Sequence, residues 1–108
     1  MNIKELASKL EIKKLNSLSD AEVTNVLVAD IVSDVVNHAK EGTVIVTAQA
    51  HSTLVSAAKL VDAAAIIFTL GREPSPEVVK LADKAGITLF TTPLGGYEIA
   101  IGLNKLGL

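Results

Sequence analysis

The sequence predicts an α/β fold, a three-layer sandwich in which a mostly parallel sheet has helices on its faces. Three observations predict it. From residue 43 onward, short β-branched runs alternate with segments of helical periodicity, strand then helix three times over, with short connections. The strand runs, above all Val44-Ile45-Val46, are continuously apolar, as strands covered on both faces are. The hydrophobic fraction of 49% comes from Val, Ile, Leu and Ala, with only Phe68, Phe90 and Tyr97 aromatic, which suits helices packed on a sheet. Right-handed crossovers turn this order into parallel strands. At 108 residues the chain is expected to form one domain, 1–108, around a single core.

Taken in order, Ile3, Leu6, Ala7 and Leu10 mark an amphipathic first helix expected at a sheet edge, with Asn2 and Glu5 spaced as a capping box. Ile12 to Asn16 reads as a brief strand and Ser17 to Asp20 as a turn. Val23 to Val28 has strand composition. Asp30 to Lys40 follows as a helix with Ile31, Val32, Val35, Val36 and Ala39 on one face and Gly42 as its C-cap. After the strand at Thr43, Leu54, Val55, Ala58 and Val61 recur at helical spacing. Ala64 to Thr69 is a buried strand ending in the turn Leu70-Gly71-Arg72. Ser75-Pro76-Glu77 starts a helix, with serine as cap, proline at the first position and an acid in the first turn. Val78, Val79, Ala82 and Ala85 form its buried stripe, and Gly86 ends it. Ile87 to Phe90 is the last strand. The final helix, Tyr97 to Leu106, has a wide apolar surface at Ala100, Ile101 and Leu103 that favours an interface.

Composition excludes several functions. A net charge of −2 and only Lys13-Lys14 as a basic cluster argue against nucleic acid as a partner. The absence of cysteine removes disulfides, zinc thiolates and thiol chemistry, and His38 and His51 are too far apart in the chain to suggest a metal site. No cofactor is expected. No apolar run reaches the roughly 18 residues of a membrane span, and the first residues lack the basic and apolar regions of a signal peptide. The expected setting is soluble and cytoplasmic.

The stretch Thr43 to Asp62 joins a strand to a helix through Thr47, Gln49, His51, Ser52 and Thr53, a dense set of hydrogen-bonding side chains where open α/β sheets bind ligands. The corresponding ends of the next two strands add Thr69, Gly71, Arg72, Thr92 and Pro93. These residues either line a pocket for a small anionic metabolite or nucleotide, aided by free N–H groups at helix starts near Ser52, Ser75 and Gly96, or serve as caps and turn formers. Catalysis is not expected. Gly102 and Gly107 have P-loop spacing, but the chain ends at Leu108 without the following Lys and Ser or Thr. Neither a Rossmann glycine turn nor a hydrolase elbow is present. His51 has no carboxylate near it in sequence to orient it as a base. Arg72, the sole arginine, is either a surface partner of Glu73 or an anion contact.

The pieces VIVTAQAHSTLVSAAKLVDAAAIIFT and GREPSPEVVKLADKAGITLFTTP resemble the DRTGG domain family in layout and spacing. The resemblance runs from about Val23 to the carboxyl terminus. It implies a small α/β module, similar in fold to the amino-terminal domain of HPr kinase/phosphorylase, that dimerises and accompanies regulatory or catalytic domains such as paired CBS domains. Ala50, His51, Ser52 and Thr53 stand where the family has Asp-Arg-Thr, so neither acid nor arginine is present. Thr69, Leu70 and Gly71 stand at its Thr-Gly-Gly, with the middle glycine replaced. The functional expectation is a non-catalytic regulatory module that dimerises and binds an anionic ligand at the strand ends. The alternative is a constitutive homodimeric interaction domain without a ligand, and either reading allows a further protein partner.

Overall fold

A computed structural model describes residues 1–108. In chain order the elements are α1 (Ile3–Lys9), β1 (Lys13–Lys14), β2 (Asn25–Val28), α2 (Val32–His38), β3 (Thr43–Thr47), α3 (Ser52–Leu60), β4 (Ala65–Phe68), α4 (Pro76–Ala85), β5 (Thr88–Thr91) and α5 (Gly96–Lys105). The five strands form one sheet in the order β1-β5-β4-β3-β2. β2 to β5 are parallel, and β1 runs antiparallel to β5. The expected three-layer α/β sandwich is therefore the observed fold.

Strand alternation divides the core in two. Ile45, Ile66, Phe68 and Leu89 pack with Leu54, Val55, Ala58, Val78 and Ala82, so α3 and α4 cover one face. Val44, Val46, Ile67 and Phe90 pack with Ile3, Leu6, Ile99 and Leu103, so α1 and α5 cover the other. Every residue of β3, β4 and β5 is buried. That double coverage is why these strands lack the polar alternation of a half-exposed sheet.

Local chemistry sets the helix ends. Asn2 Oδ1 accepts from the Glu5 backbone N–H at 2.8 Å and Glu5 Oε1 accepts from the Asn2 N–H at 3.4 Å, the reciprocal capping box that the spacing predicts. Pro76 occupies the first turn of α4, and Gly86 closes it in the left-handed region at φ 74°. Ser75 takes the N-cap position with extended backbone, but its side chain makes no capping bond.

Four expectations are corrected. α1 packs over the second face of the sheet, not at an edge, because Ile3 and Leu6 are both fully buried against α5 and the central strands. Ser17 to Asp20 is an irregular strap instead of a turn. Thr88 Oγ1 donates to Ser17 O at 3.1 Å and accepts from the Ser19 N–H at 2.9 Å. Asn16 exchanges side-chain bonds with Ile87 O and the Leu89 N–H, which covers the open side of β5. α2 is shorter than its apolar pattern and buries only Val35. Gly42 lies beyond Ala39, the C-cap of α2, and does not cap that helix.

α2 flanks α3 at the β2 margin of the sheet, where there is too little underlying surface for a full apolar face. Its surplus is left outside. Ile31 is 60% exposed, Val32 38% and Val36 40%, with Leu60 of α3 across a groove from Val32 and Val36 at 72%. Residues of α2 and α3, Val32, Val36, Ala57 and Leu60 among them, line a shallow groove. On α5, Leu103 of the expected apolar surface is buried with Ile99, while Ile101 is 37% and Tyr97 78% exposed.

Candidate functional site

The parallel register brings the ends of β2, β3 and β4 to one side of the sheet. A cavity of about 200 Å³ opens there, lined by Val28, Asp30, Val46, Thr47, Ala48, Thr69 and Gly96. Typical small-molecule sites hold roughly 300–1,000 Å³. This one has room for a single group of a ligand, with the remainder outside.

Thr47 and Thr69, named from the sequence, meet in this cavity. Both side chains are buried, at 2% and 5% exposure. Thr47 Oγ1 donates to Asp30 Oδ1 at 3.0 Å and accepts from the Gln49 N–H at 3.1 Å. Thr69 Oγ1 donates to Thr47 O at 3.5 Å, the limit of a hydrogen bond. Gly96 starts α5 without a side-chain cap, so the first N–H groups of that helix have no acceptor within it.

The remaining sequence-named residues lie around this point in different roles. Thr92 is fully buried and committed, donating to Glu11 O at 2.7 Å and accepting from the Leu94 N–H at 3.2 Å. Pro93 is exposed beyond it, and Gln49 is half-buried. His51 and Ser52 are exposed at the start of α3, where His51 takes the N-cap position without a side-chain bond. Ser52 faces the α2–α3 groove instead of the strand-end cavity.

Leu70 and Gly71 occupy a tight turn between Thr69 and Arg72. Both central residues have positive φ, 56° and 72°, and the Arg72 N–H donates to Thr69 O at 3.2 Å. Two positive φ values with that bond are the mark of a type I′ turn, which strongly favours glycine or asparagine. This gives a physical reason for the Thr-Gly-Gly pattern of the family that the sequence resembles: two glycines meet the demand of the turn without strain. Leu70 meets it with strain. The turn has no free N–H for a ligand, since Leu70 donates to Leu94 O at 2.9 Å and Gly71 to Thr92 O at 2.7 Å. Arg72 Nη1 donates to Thr69 O at 3.3 Å, so the guanidinium braces the turn and makes no ion pair with Glu73.

One consequence can be measured. Leu70→Gly removes about 1 kcal/mol of left-handed strain at a side chain that is 62% exposed, partly offset by the greater freedom of glycine in the unfolded chain. A net gain of about 0.5 kcal/mol is expected, read as a higher urea midpoint, whereas Leu70→Val lowers it.

Asp30 is the site residue that sequence reasoning missed. Its sequence context reads as a helix start, but that helix begins at Val32 and Asp30 lies in the exit of β2. Its Oδ1 accepts from both Thr47 Oγ1 and the Ala48 N–H, at 3.0 and 2.8 Å, and so ties the ends of two strands together. The sequence offers only an acid two residues beyond the run Asn25 to Val28; the register that sets it beside Ala48 is a property of the folded sheet.

No group of three or more His, Cys, Asp or Glu side chains is arranged to hold a metal ion. No helix is long and apolar enough to cross a membrane. Comparison with curated proteins gives no match. Among solved structures, the chain is similar to the CBS and DRTGG domains of the regulatory region of a Clostridium perfringens pyrophosphatase, solved in complex with the activator diadenosine tetraphosphate. The TM-score is 0.72 at 20% identity over 92% of this chain, which spans 44% of the length of that one. That likeness concerns the fold. The family model of the DRTGG domain matches residues 4–106, nearly the whole sequence, and the chain therefore belongs to the DRTGG domain family.

Proposed function

We propose that this chain is a non-catalytic regulatory module, a DRTGG-like domain over residues 1–108, that pairs with a second copy and binds a small anionic metabolite or nucleotide at the ends of its parallel strands. The observation that carries the reading is the strand-end cavity, where the buried hydroxyls of Thr47 and Thr69 meet the start of α5. The start of the ten-residue α5 adds N–H donors beside the cavity, and because the cavity wall itself carries the Asp30 carboxylate, the anionic group of the ligand lies outside it. Arg72 and His51, exposed on the same end of the sheet, supply cations at the rim, with Gln49, Gly71 and Pro93 around it, whereas Ser52 and Thr92 are engaged elsewhere. The similar pyrophosphatase regulatory region, solved with a nucleotide activator, supports a nucleotide as the ligand class. A catalytic role is disfavoured because the His51 side chain has no hydrogen-bond partner to orient it as a base. The protein acts in the cytoplasm in this reading.

A second reading, a constitutive homodimeric interaction domain without ligand, is favoured by a separate observation. The exposed Ile31, Val32 and Val36 of the α2 segment and Leu60 of α3 leave an apolar surface of the kind that marks protein interfaces, for a second copy or another protein.

Thermal shift against nucleotides, phosphorylated metabolites and simple anions, with light scattering on the same sample, tests both. A ligand at a hundredfold excess over its dissociation constant adds about 2.7 kcal/mol, a shift of many degrees in a domain of this size. His51→Ala and Arg72→Ala are expected to abolish it. A dimer without any shift favours the second reading, and a monomer at micromolar concentration overturns the pairing.

A further inference from the structure

Asp30 narrows the class of ligand that the cavity takes. Its Oδ1 already accepts two hydrogen bonds, from Thr47 Oγ1 and the Ala48 N–H, whereas Oδ2 accepts none from the protein. The one ion pair of the molecule joins the Met1 ammonium to Glu22, so no cation offsets the charge of Asp30. A carboxylate offers about four acceptor sites, and the unused ones belong to a residue lining the cavity. A phosphate group offers acceptors and negative charge, and both are repelled at that point. A group that donates hydrogen bonds is held.

The Thr69 hydroxyl strengthens the case. Its bond to Thr47 O is 3.5 Å long, so turning toward a better partner loses little, and the hydroxyl can both donate and accept. Val28, 57% exposed on the cavity wall, adds an apolar surface. A sugar matches that lining, with hydroxyls for the carboxylate and threonines and a carbon face for Val28. At about 200 Å³ the cavity takes a sugar and not a whole nucleotide.

We infer that the cavity at Asp30 is a ribose subsite, in which the carboxylate accepts hydrogen bonds from the vicinal hydroxyls of a phosphorylated ribosyl ligand whose phosphate lies outside the cavity. The inference rests on the proposed function and makes it more specific. The recognition chemistry has a general basis: an acidic side chain beyond a parallel strand holds ribose hydroxyls in dinucleotide-binding sheets. Two sources share this chemistry, a nucleotide and a ribose phosphate.

Calorimetric titration of the full chain with the four ribonucleoside diphosphates, their 2′,3′-dideoxy forms, ribose 5-phosphate and inorganic phosphate tests the inference. At least one ribonucleotide, or ribose 5-phosphate, is expected to bind the wild type. For the nucleotide, loss of both hydroxyls weakens binding about tenfold, since bonds to a charged group are the strong ones. Asp30→Asn keeps an oxygen for Thr47 and Ala48 but replaces the free acceptor with a donor. It is expected to shrink the ribo-to-dideoxy ratio to near one, to weaken ribose 5-phosphate and to tighten inorganic phosphate. Binding of ribose 5-phosphate alone, lost in Asp30→Asn, also supports the subsite and identifies a sugar phosphate as its source. Equal wild-type affinity for ribo and dideoxy forms overturns the subsite while leaving an anion or nucleotide site standing, and needs no variant to be read. Inorganic phosphate binding as tightly as the ribosyl ligands does the same. If no probe binds, the ligand-responsive reading falls with the inference.

Discussion

Phe68→Ala is expected to lower the stability of the domain by about 3–5 kcal/mol, measured as a fall in the urea midpoint at unchanged slope. Phe68 is fully buried and shares its cluster with Ile45, Leu54, Val78 and Leu89, from two other strands and two helices. Truncation removes the ring's transfer energy and leaves a space that neighbours on a rigid sheet cannot all move to fill. Small domains are stable by only about 5–15 kcal/mol, so this is a large share of the total. The position also couples the core to the site. Phe68 O accepts from the Thr92 N–H at 3.0 Å, and Thr69, the next residue, lines the cavity. Phe68→Ala should therefore weaken any ligand-induced stabilisation as well as the fold. Phe68→Leu fills most of the space and is expected to cost less than about 1.5 kcal/mol. Equal losses for both variants would show that ring volume is not what the site requires.

The same residue shows why so much of the fold was legible in the sequence. Phe68 closes the run Ala65 to Phe68, and both faces of that strand are covered, so apolar composition and short length suffice to identify it. The same holds for β3 and β5, and the turn residues between them mark the helices. Where an element's partner is not local, composition fails. β1 has only two residues, both exposed, and is held by pairing with β5, more than seventy residues away in the chain. The strap after it reads as a turn because Ser and Asp favour turns, yet Thr88 ties it to β5. α2 shows the opposite failure. Its apolar spacing is real, but a stripe indicates what a helix can bury and not whether a surface is there to receive it.

The site divides along the same line. Thr47 and Thr69 could be identified because each ends a recognisable strand, and parallel register alone brings them together. Asp30 could not be identified, because its significance depends on β2 lying beside β3, and strand order does not follow from a single sequence. The sequence also groups residues that the fold separates: Thr92 is consumed by Glu11, and Ser52 turns to the α2–α3 groove. Hydroxyls after a strand are legible as a set. Which of them remain available is settled by partners far away in the chain.

Gly42→Ala is expected to cost about 2–4 kcal/mol, from two separable causes. The residue has φ 83°, where an L side chain is strained by about 1–2 kcal/mol, and this part is independent of its neighbours. The second cause is crowding. A Cβ built on Gly42 would strike the Thr24 hydroxyl and lie 3.0 Å from the Glu22 carbonyl oxygen. The backbone cannot easily move away, because the Gly42 N–H donates to Asp62 O at 3.1 Å while Gly42 O accepts from the Thr24 N–H at 2.9 Å. These bonds join the start of β3 to β2 on one side and to the end of α3 on the other. Thr24→Ala removes the hydroxyl but neither the carbonyl nor the positive φ, so the double variant should recover only part of the loss. The coupling between the two substitutions then measures the side-chain clash alone. Full recovery would place the whole requirement for glycine in the Thr24 contact, and no recovery would place it in the backbone.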